Sequence, residues 1–153
     1  MASEISSFMR EALDGRREPP PSARALGHTG FLELEPGRAR SRFVAREEFR
    51  TPFGVTHGGF LAAMLDDVMG QAVATVLAPD ASCASVTLSV SFLEPVLPGT
   101  ALVGEGRVVR RGRAVVHVEG SLTLETGAPV ARGTSAFVLL PLPDPARSRG
   151  ASR

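Results

Sequence analysis

An α+β fold, one long helix packed on an antiparallel sheet, is what this sequence predicts. Three observations lead there. One stretch, about 57 to 77, carries apolar residues at helical spacing. Much of the chain after it alternates apolar and polar residues with a period of two. Pro and Gly cluster between these segments, where turns belong.

The elements follow in order. Ile5 to Leu13 suits a short helix, and Glu18 with Pro19, Pro20 and Pro21 stops it, because proline lacks the amide donor and clashes with the preceding turn. Two strands are expected between Ala25 and Arg50. Phe31, Leu32 and Leu34 lie in the first, Arg40 to Val44 form the second, and Pro36-Gly37 turns between them. The long helix is expected from His57 to Leu77, with Thr56 as N-cap and Pro79 beyond its far end. Leu61, Met64, Leu65, Val68, Ala72 and Val76 make its apolar stripe. Ala63, Gly70 and Ala74 make a small-residue face opposite, so both sides are expected to pack.

A four-strand meander is expected next. Val86, Leu88, Val90 and Phe92 alternate with Thr87, Ser89 and Ser91. Pro95 to Gly99 turns the chain, Leu102 to Val109 returns it, and Arg110 to Arg113 reads as a hairpin turn. Val116, Val118, Leu122 and Leu124 alternate in the third strand, and Val130 to Leu140 closes the sheet. One face of such a sheet is buried, and one helix can cover it.

Composition bounds the function. The chain has 153 residues, enough for one domain, and 43% of them are hydrophobic. It lacks Trp and Tyr, so aliphatic residues and eight Phe must fill the core. A net charge of +1 calls for neither nucleic acid nor an acidic membrane as partner. The one cysteine, Cys83, allows no internal disulfide and is read as structural. His28, His57 and His117 lack metal-ligand spacing with carboxylates, so no metal or other cofactor is expected. Residues 1–10 lack a basic segment followed by an apolar run, and nothing approaches the roughly 18 apolar residues of a membrane span. A cytoplasmic protein is the expectation.

The chemistry concentrates in 51–67, TPFGVTHGGFLAAMLDD. Gly58 and Gly59 fall in the first helical turn, where amides lack intrahelical partners and the helix dipole adds positive charge. Such amides can stabilise the oxyanion of an attacked carbonyl; the plainer role of these glycines is tight packing. Asp66 has Gly59, Ala62, Ala63, Met69, Gly70 and Val73 as face neighbours, none able to pair with its charge. A carboxylate so placed is expected to have a raised pKa, which suits a base or nucleophile. Asp67, beside Gln71, reads as the plainer of the two. Arg107, Arg110, Arg111 and Arg113 can clasp phosphate oxygens or simply line a solvated hairpin.

The run His57-Gly58-Gly59, followed after six residues by Asp66, resembles the signature of the PaaI-like hotdog thioesterases, a group that includes phenylacetate-pathway and 4-hydroxybenzoyl-CoA enzymes. The run SVTLSVSFLEP at 85–95 resembles that family's next strand, which ends in an aromatic shortly before a proline. The arginine turn followed by an alternating strand is also similar. The resemblance spans about Ala25 to Leu140.

It implies a hotdog fold, with 1–23 as an N-terminal extension carrying a short helix, 24–141 as the hotdog domain, and 142–153 as a disordered tail. It implies hydrolysis of an acyl-CoA thioester. Asp66 would be base or nucleophile, the Gly58 amide would polarise the carbonyl, and Ser85 would help hold the attacking water. Thr51 stands where relatives often carry Asn or Gln against the thioester, a departure with shorter reach. His57 and Gly59 would border the substrate, His57 chiefly as a structural residue, and Arg110, Arg111, Gly112 and Arg113 would meet CoA. Gly58 and Asp66 lie eight residues apart, about 12 Å along one helix, too far for one carbonyl carbon to touch both. A homodimer is therefore expected, with Gly58 and Asp66 meeting across it, and the resemblance implies a dimer of dimers. Two other readings share the fold. One is a non-catalytic acyl-CoA-binding or regulatory module, which has no need of Asp66. The other is a dehydratase, whose His-acid motifs are not found.

Overall fold

A computed structural model describes residues 5–142. Its elements are α1 (Ser7–Leu13), α2 (Pro21–Ala25), β1 (His28–Glu35), β2 (Arg38–Val44), a 3-10 turn (Glu47–Phe49), α3 (Gly58–Ala74), β3 (Ala81–Phe92), β4 (Ala101–Arg111), β5 (Val115–Leu124) and β6 (Pro129–Pro141). The expected tail lies outside the described residues, apart from Leu142.

One six-stranded antiparallel sheet, ordered β1-β2-β4-β5-β6-β3, wraps α3, as a hotdog fold requires. The four-strand meander is corrected on one point. β4, β5 and β6 do run as a meander, but β3 pairs with β6 and forms a free edge, while β4 pairs with β2. The connection after β3 explains this. The Val96 carbonyl accepts from the Thr56 amide at 2.7 Å, and Ala45 exchanges backbone hydrogen bonds with Gly99 and Thr100. The chain is thereby carried back past the start of α3, and β4 begins against β2.

The core sits between α3 and the sheet. Leu61, Met64, Leu65, Val68 and Ala72 of the expected stripe are buried, and Phe43, Leu102, Val116 and Leu122 meet them from the strands. Val76 is only half-buried, because α3 stops at Ala74 rather than Leu77. Thr75 ends it: its hydroxyl donates to the Ala72 carbonyl at 2.7 Å and accepts from the Gly37 amide at 2.8 Å, tying the helix end to the β1–β2 turn.

Close approach of helix to sheet depends on Gly106 in β4. A Cβ there would collide with the Val68 carbonyl, and one on Gly120 would come within 2.8 Å of Met69. Side chains at these positions would push α3 off the sheet.

Coverage fails at β3. Val86 is 63% exposed and Phe92 52%, and Leu88 is exposed as well. β3 is the last strand of the sheet, whereas α3 lies mainly over β4 and β5. Its apolar alternation therefore faces open space in a single chain.

Candidate active site

The helix start is built by His57, which replaces Thr56 as the N-cap. His57 Nδ1 accepts from the Gly59 amide at 2.9 Å, so the neutral ring carries its proton on Nε2. Thr56 does not cap: its amide donates to the Val96 carbonyl, and its hydroxyl is buried without a partner among the described residues. Gly58 is the first helical residue. Its amide makes no hydrogen bond among the described residues, so it is an available donor. A Cβ on Gly58 would lie 3.1 Å from the Phe92 ring.

Two turns on, Asp66 and Asp67 line a cleft of about 430 Å³ between α3, the start of β3 and the N-terminal segment. Asp66 Oδ2 accepts a long hydrogen bond, 3.4 Å, from the Ser85 hydroxyl. Its other oxygen, Oδ1, is buried with no partner among the described residues. Burial holds the Asp66 carboxyl above its ordinary pKa, and the Ser85 hydrogen bond only partly opposes this.

Asp67 differs from its sequence reading. Burial pushes its pKa up to about 6, with a smaller push from the Asp66 charge; the Gln71 amide, which donates to Oδ2 at 2.8 Å, works the other way. Gln71 is itself held by the buried Ser41, whose hydroxyl donates to Gln71 Oε1 at 2.6 Å. The i, i+4 pairing of Asp67 with Gln71 was visible in the sequence; the roof that shields it was not.

α1 supplies that roof. Ser6 caps α1 and also donates from its hydroxyl to the Ala74 carbonyl at 2.9 Å, so α1 is stitched to the end of α3. Met9 is buried beneath α1, and Phe8 lines the cleft with the Arg17 guanidinium 4.6 Å over its ring. His28 and Cys83 also line the cleft. Burial, and then the nearby Asp66 charge, raise the Cys83 thiol pKa, which disfavours a thiolate nucleophile there.

Asp66 and Ser85 are brought together, apart from His57, Gly58 and Gly59 at the helix start and from the other expected site residues. Gly58 lines a separate cleft with Leu61 and residues 92–96. Thr51 lines neither cleft, and its hydroxyl accepts from the Phe53 amide at 3.3 Å within its own turn. Arg110, Arg111, Gly112 and Arg113 sit at the β4–β5 hairpin, the three arginines exposed and without ion pairs among the described residues; Arg107 pairs with Glu119 at 3.5 Å. Among the described residues no group of His, Cys, Asp or Glu could hold a metal, and no helix is long and apolar enough to cross a membrane.

A long helix wrapped by one antiparallel sheet is the architecture of the hotdog class. Residues 53–131, just over half the chain, match the model of the thioesterase superfamily. The chain belongs to the thioesterase superfamily, a family of thioester hydrolases, and its PaaI-like resemblance is upheld. The crystal structure of a phenylacetic acid degradation-related protein from Ralstonia eutropha JMP134 superposes with a TM-score of 0.79 at 36% identity, over 86% of this chain and 99% of that one. Human acyl-coenzyme A thioesterase 13 is 23% identical over 86% of this chain and 94% of its own length. A protein of Saccharolobus solfataricus named as an esterase is 38% identical over 58% of this chain, and the match spans 61% of that protein's length.

Proposed function

We propose that this chain hydrolyses an acyl-CoA thioester to the free acid and CoA, with Asp66 as the base or nucleophile. The observation that carries this is the buried, unpartnered Oδ1 of Asp66 in an otherwise largely apolar cleft. Asp67 is less suited, since Gln71 already engages it. Acting as base, Asp66 takes a proton from a water that Ser85 helps to hold. That water attacks the carbonyl carbon, the C–S bond breaks, and acid and thiol depart. Charge gathers on the carbonyl oxygen meanwhile, and the free Gly58 amide of a second subunit is the donor suited to it. The exposed apolar edge of β3 supports a homodimer, and a dimer of dimers in the cytoplasm belongs to the same reading. The exposed, unpaired Arg110, Arg111 and Arg113 are suited to the CoA phosphates, with Gly112 permitting the tight turn that sets them side by side, since a Cβ there would meet the Val115 carbonyl. The name of the human relative supports CoA as the carrier.

The test is thiol release from a panel of acyl-CoA esters. Asp66→Asn is expected to lower kcat by about 10²–10⁴-fold, the range for losing a general base, with thermal melting preserved. In the unaltered protein the rate should fall as acid protonates Asp66, at a pH above the ordinary aspartate value of 3.8. One observation favours a pure acyl-CoA binder instead: Thr51, at a position expected to touch the thioester, lines neither cleft, and its hydroxyl accepts from the Phe53 amide in its own turn. Equal rates in the two proteins would favour that binder.

A further inference from the structure

The Asp66 cleft borders a second cavity, of about 550 Å³, at the far end of α3. Phe8, Ala74 and Cys83 line both, so these residues stand between the two spaces. Ile5, Leu77 and Pro79 add apolar surface to the second cavity, and no charged residue lines it among the described residues. Two of its hydroxyls are spent on backbone carbonyls: Ser6 donates to Ala74, and Ser82 donates to Leu140 and Pro141. What remains suits a hydrocarbon.

Phe8 is held at the junction. The Arg17 guanidinium lies 4.6 Å over its ring, and Arg17 pairs at 3.0 Å with Glu11, one turn after Phe8 on α1. The Phe8 residue is nevertheless 49% exposed, whereas its neighbour Met9 is buried and supplies the contact of α1 with the core. Core packing therefore does not account for a large ring at position 8. Ala74 lies eight residues after Asp66 on α3, about 12 Å along the axis. An extended chain advances about 1.2 Å per bond, so an acyl chain starting at Asp66 reaches the junction after about ten carbons.

We infer that Phe8 determines acyl-chain length, by closing the Asp66 cleft against the apolar cavity beyond it. The inference rests on reading the Asp66 cleft as the acyl site. Acyl groups of up to about ten carbons fit before the ring, and longer ones meet it. One methylene misfitted to a hydrophobic pocket costs about 10–200-fold in kcat/KM. With the ring removed, the tail continues into the second cavity, where burial of each further CH₂ is favourable.

A series of straight-chain acyl-CoA esters, hexanoyl to tetradecanoyl, provides the test. In the unaltered protein kcat/KM is expected to fall about 10-fold or more between octanoyl and tetradecanoyl. Phe8→Ala is expected to raise the tetradecanoyl-to-octanoyl ratio about 10-fold or more; the ratio, unlike the rate, is insensitive to general damage. Ala78 is exposed and lines only the second cavity, so adding Ala78→Phe to Phe8→Ala is expected to refill that space and reverse the gain. Should Phe8→Ala not fold, Phe8→Val keeps an apolar anchor on α1 and carries the test. No fall with length in the unaltered protein, a ratio unchanged by removing the ring, or a gain that survives Ala78→Phe would overturn the inference. If no ester is hydrolysed, the proposed function fails instead, and the inference is then read from calorimetric binding of octanoic and dodecanoic acids. Tightening of dodecanoic acid alone in the position 8 variant supports it; equal changes for both acids, or none, overturn it.

Discussion

The two ends of the chemistry on α3 are built in opposite ways. The Gly58 end is a helix start set by a local cap, with a free amide facing a cleft that residues 92–96 help to line. The Asp66 region is the more enclosed, in a cleft lined by α3, the start of β3 and α1. One end offers a donor for a developing negative charge, and the other offers a carboxylate kept partly from water. In one chain they lie about 12 Å apart along the helix and face different clefts, so each half lacks what the other holds. That difference makes a second copy of the chain part of the proposed chemistry.

The most direct way to break this comparison is to disable each half separately. Gly58→Val would drive a branched side chain into the Phe92 ring and displace the amide. Losing one oxyanion donor costs about 10²–10³-fold in kcat, and Asp66→Asn costs at least as much. If subunits share the site, co-expressed heterodimers of the two variants regain one intact site in two, up to about half of the unaltered activity per dimer if the two sites act independently. Inactive heterodimers, with their composition confirmed by mass spectrometry, would show that both groups act within one chain.

A second experiment concerns how firmly the enclosed half is held. Gly106→Ala places a methyl group against the Val68 carbonyl, one turn at most from Asp66 and Asp67. Backbone cannot yield as a flexible side chain does, so a loss of about 3 kcal/mol is expected, at the upper end for overpacking. Calorimetry should show a Tm several degrees lower. The same substitution at Gly127, in the β5–β6 turn where a Cβ meets nothing within 4 Å, tests the contrast, since its cost there comes only from a positive φ of 90°. Equal losses at both positions would mean that close approach of α3 to the sheet is not what Gly106 provides.

Periodicity made the long helix, its stripe and the β4–β6 meander legible. Leu61, Met64, Leu65 and Val68 are buried because helical spacing points them one way. The same reasoning misplaced β3. Alternation shows that Val86, Leu88 and Phe92 share a face, but which strand lies next to them depends on tertiary contacts of 93–100 with Ala45 and Thr56. The N-cap was misread because Thr56 has the usual side chain, while a neighbouring strand-like bridge to Arg50 and the bond to Val96 hold it elsewhere. Asp66 stood out through its unpaired surroundings on the helix. Asp67 and His28 did not, since α1 lines the cleft around Asp67 and Phe43 of β2 packs on His28, both remote in sequence.

The smallest effect expected sharpens the electrostatic side of the comparison. Asp67 is displaced from 3.8 to about 6 by burial, so the folded state binds its proton more tightly than the unfolded chain does. Stability from this group is therefore present below about pH 4 and is lost as pH rises through 6. The full displacement corresponds to about 3 kcal/mol; partial contact with water and coupling to Asp66 reduce it to about 1 kcal/mol. Asp67→Asn removes the cost of the buried charge while its amide oxygen can still accept from Gln71. Urea unfolding at pH 7 should then show the variant about 1 kcal/mol more stable, and at pH 4 the two proteins should nearly coincide. A variant that is less stable at pH 7 would mean that the Gln71–Asp67 hydrogen bond outweighs desolvation, and the enclosed half of α3 would then favour the charge it was inferred to resist.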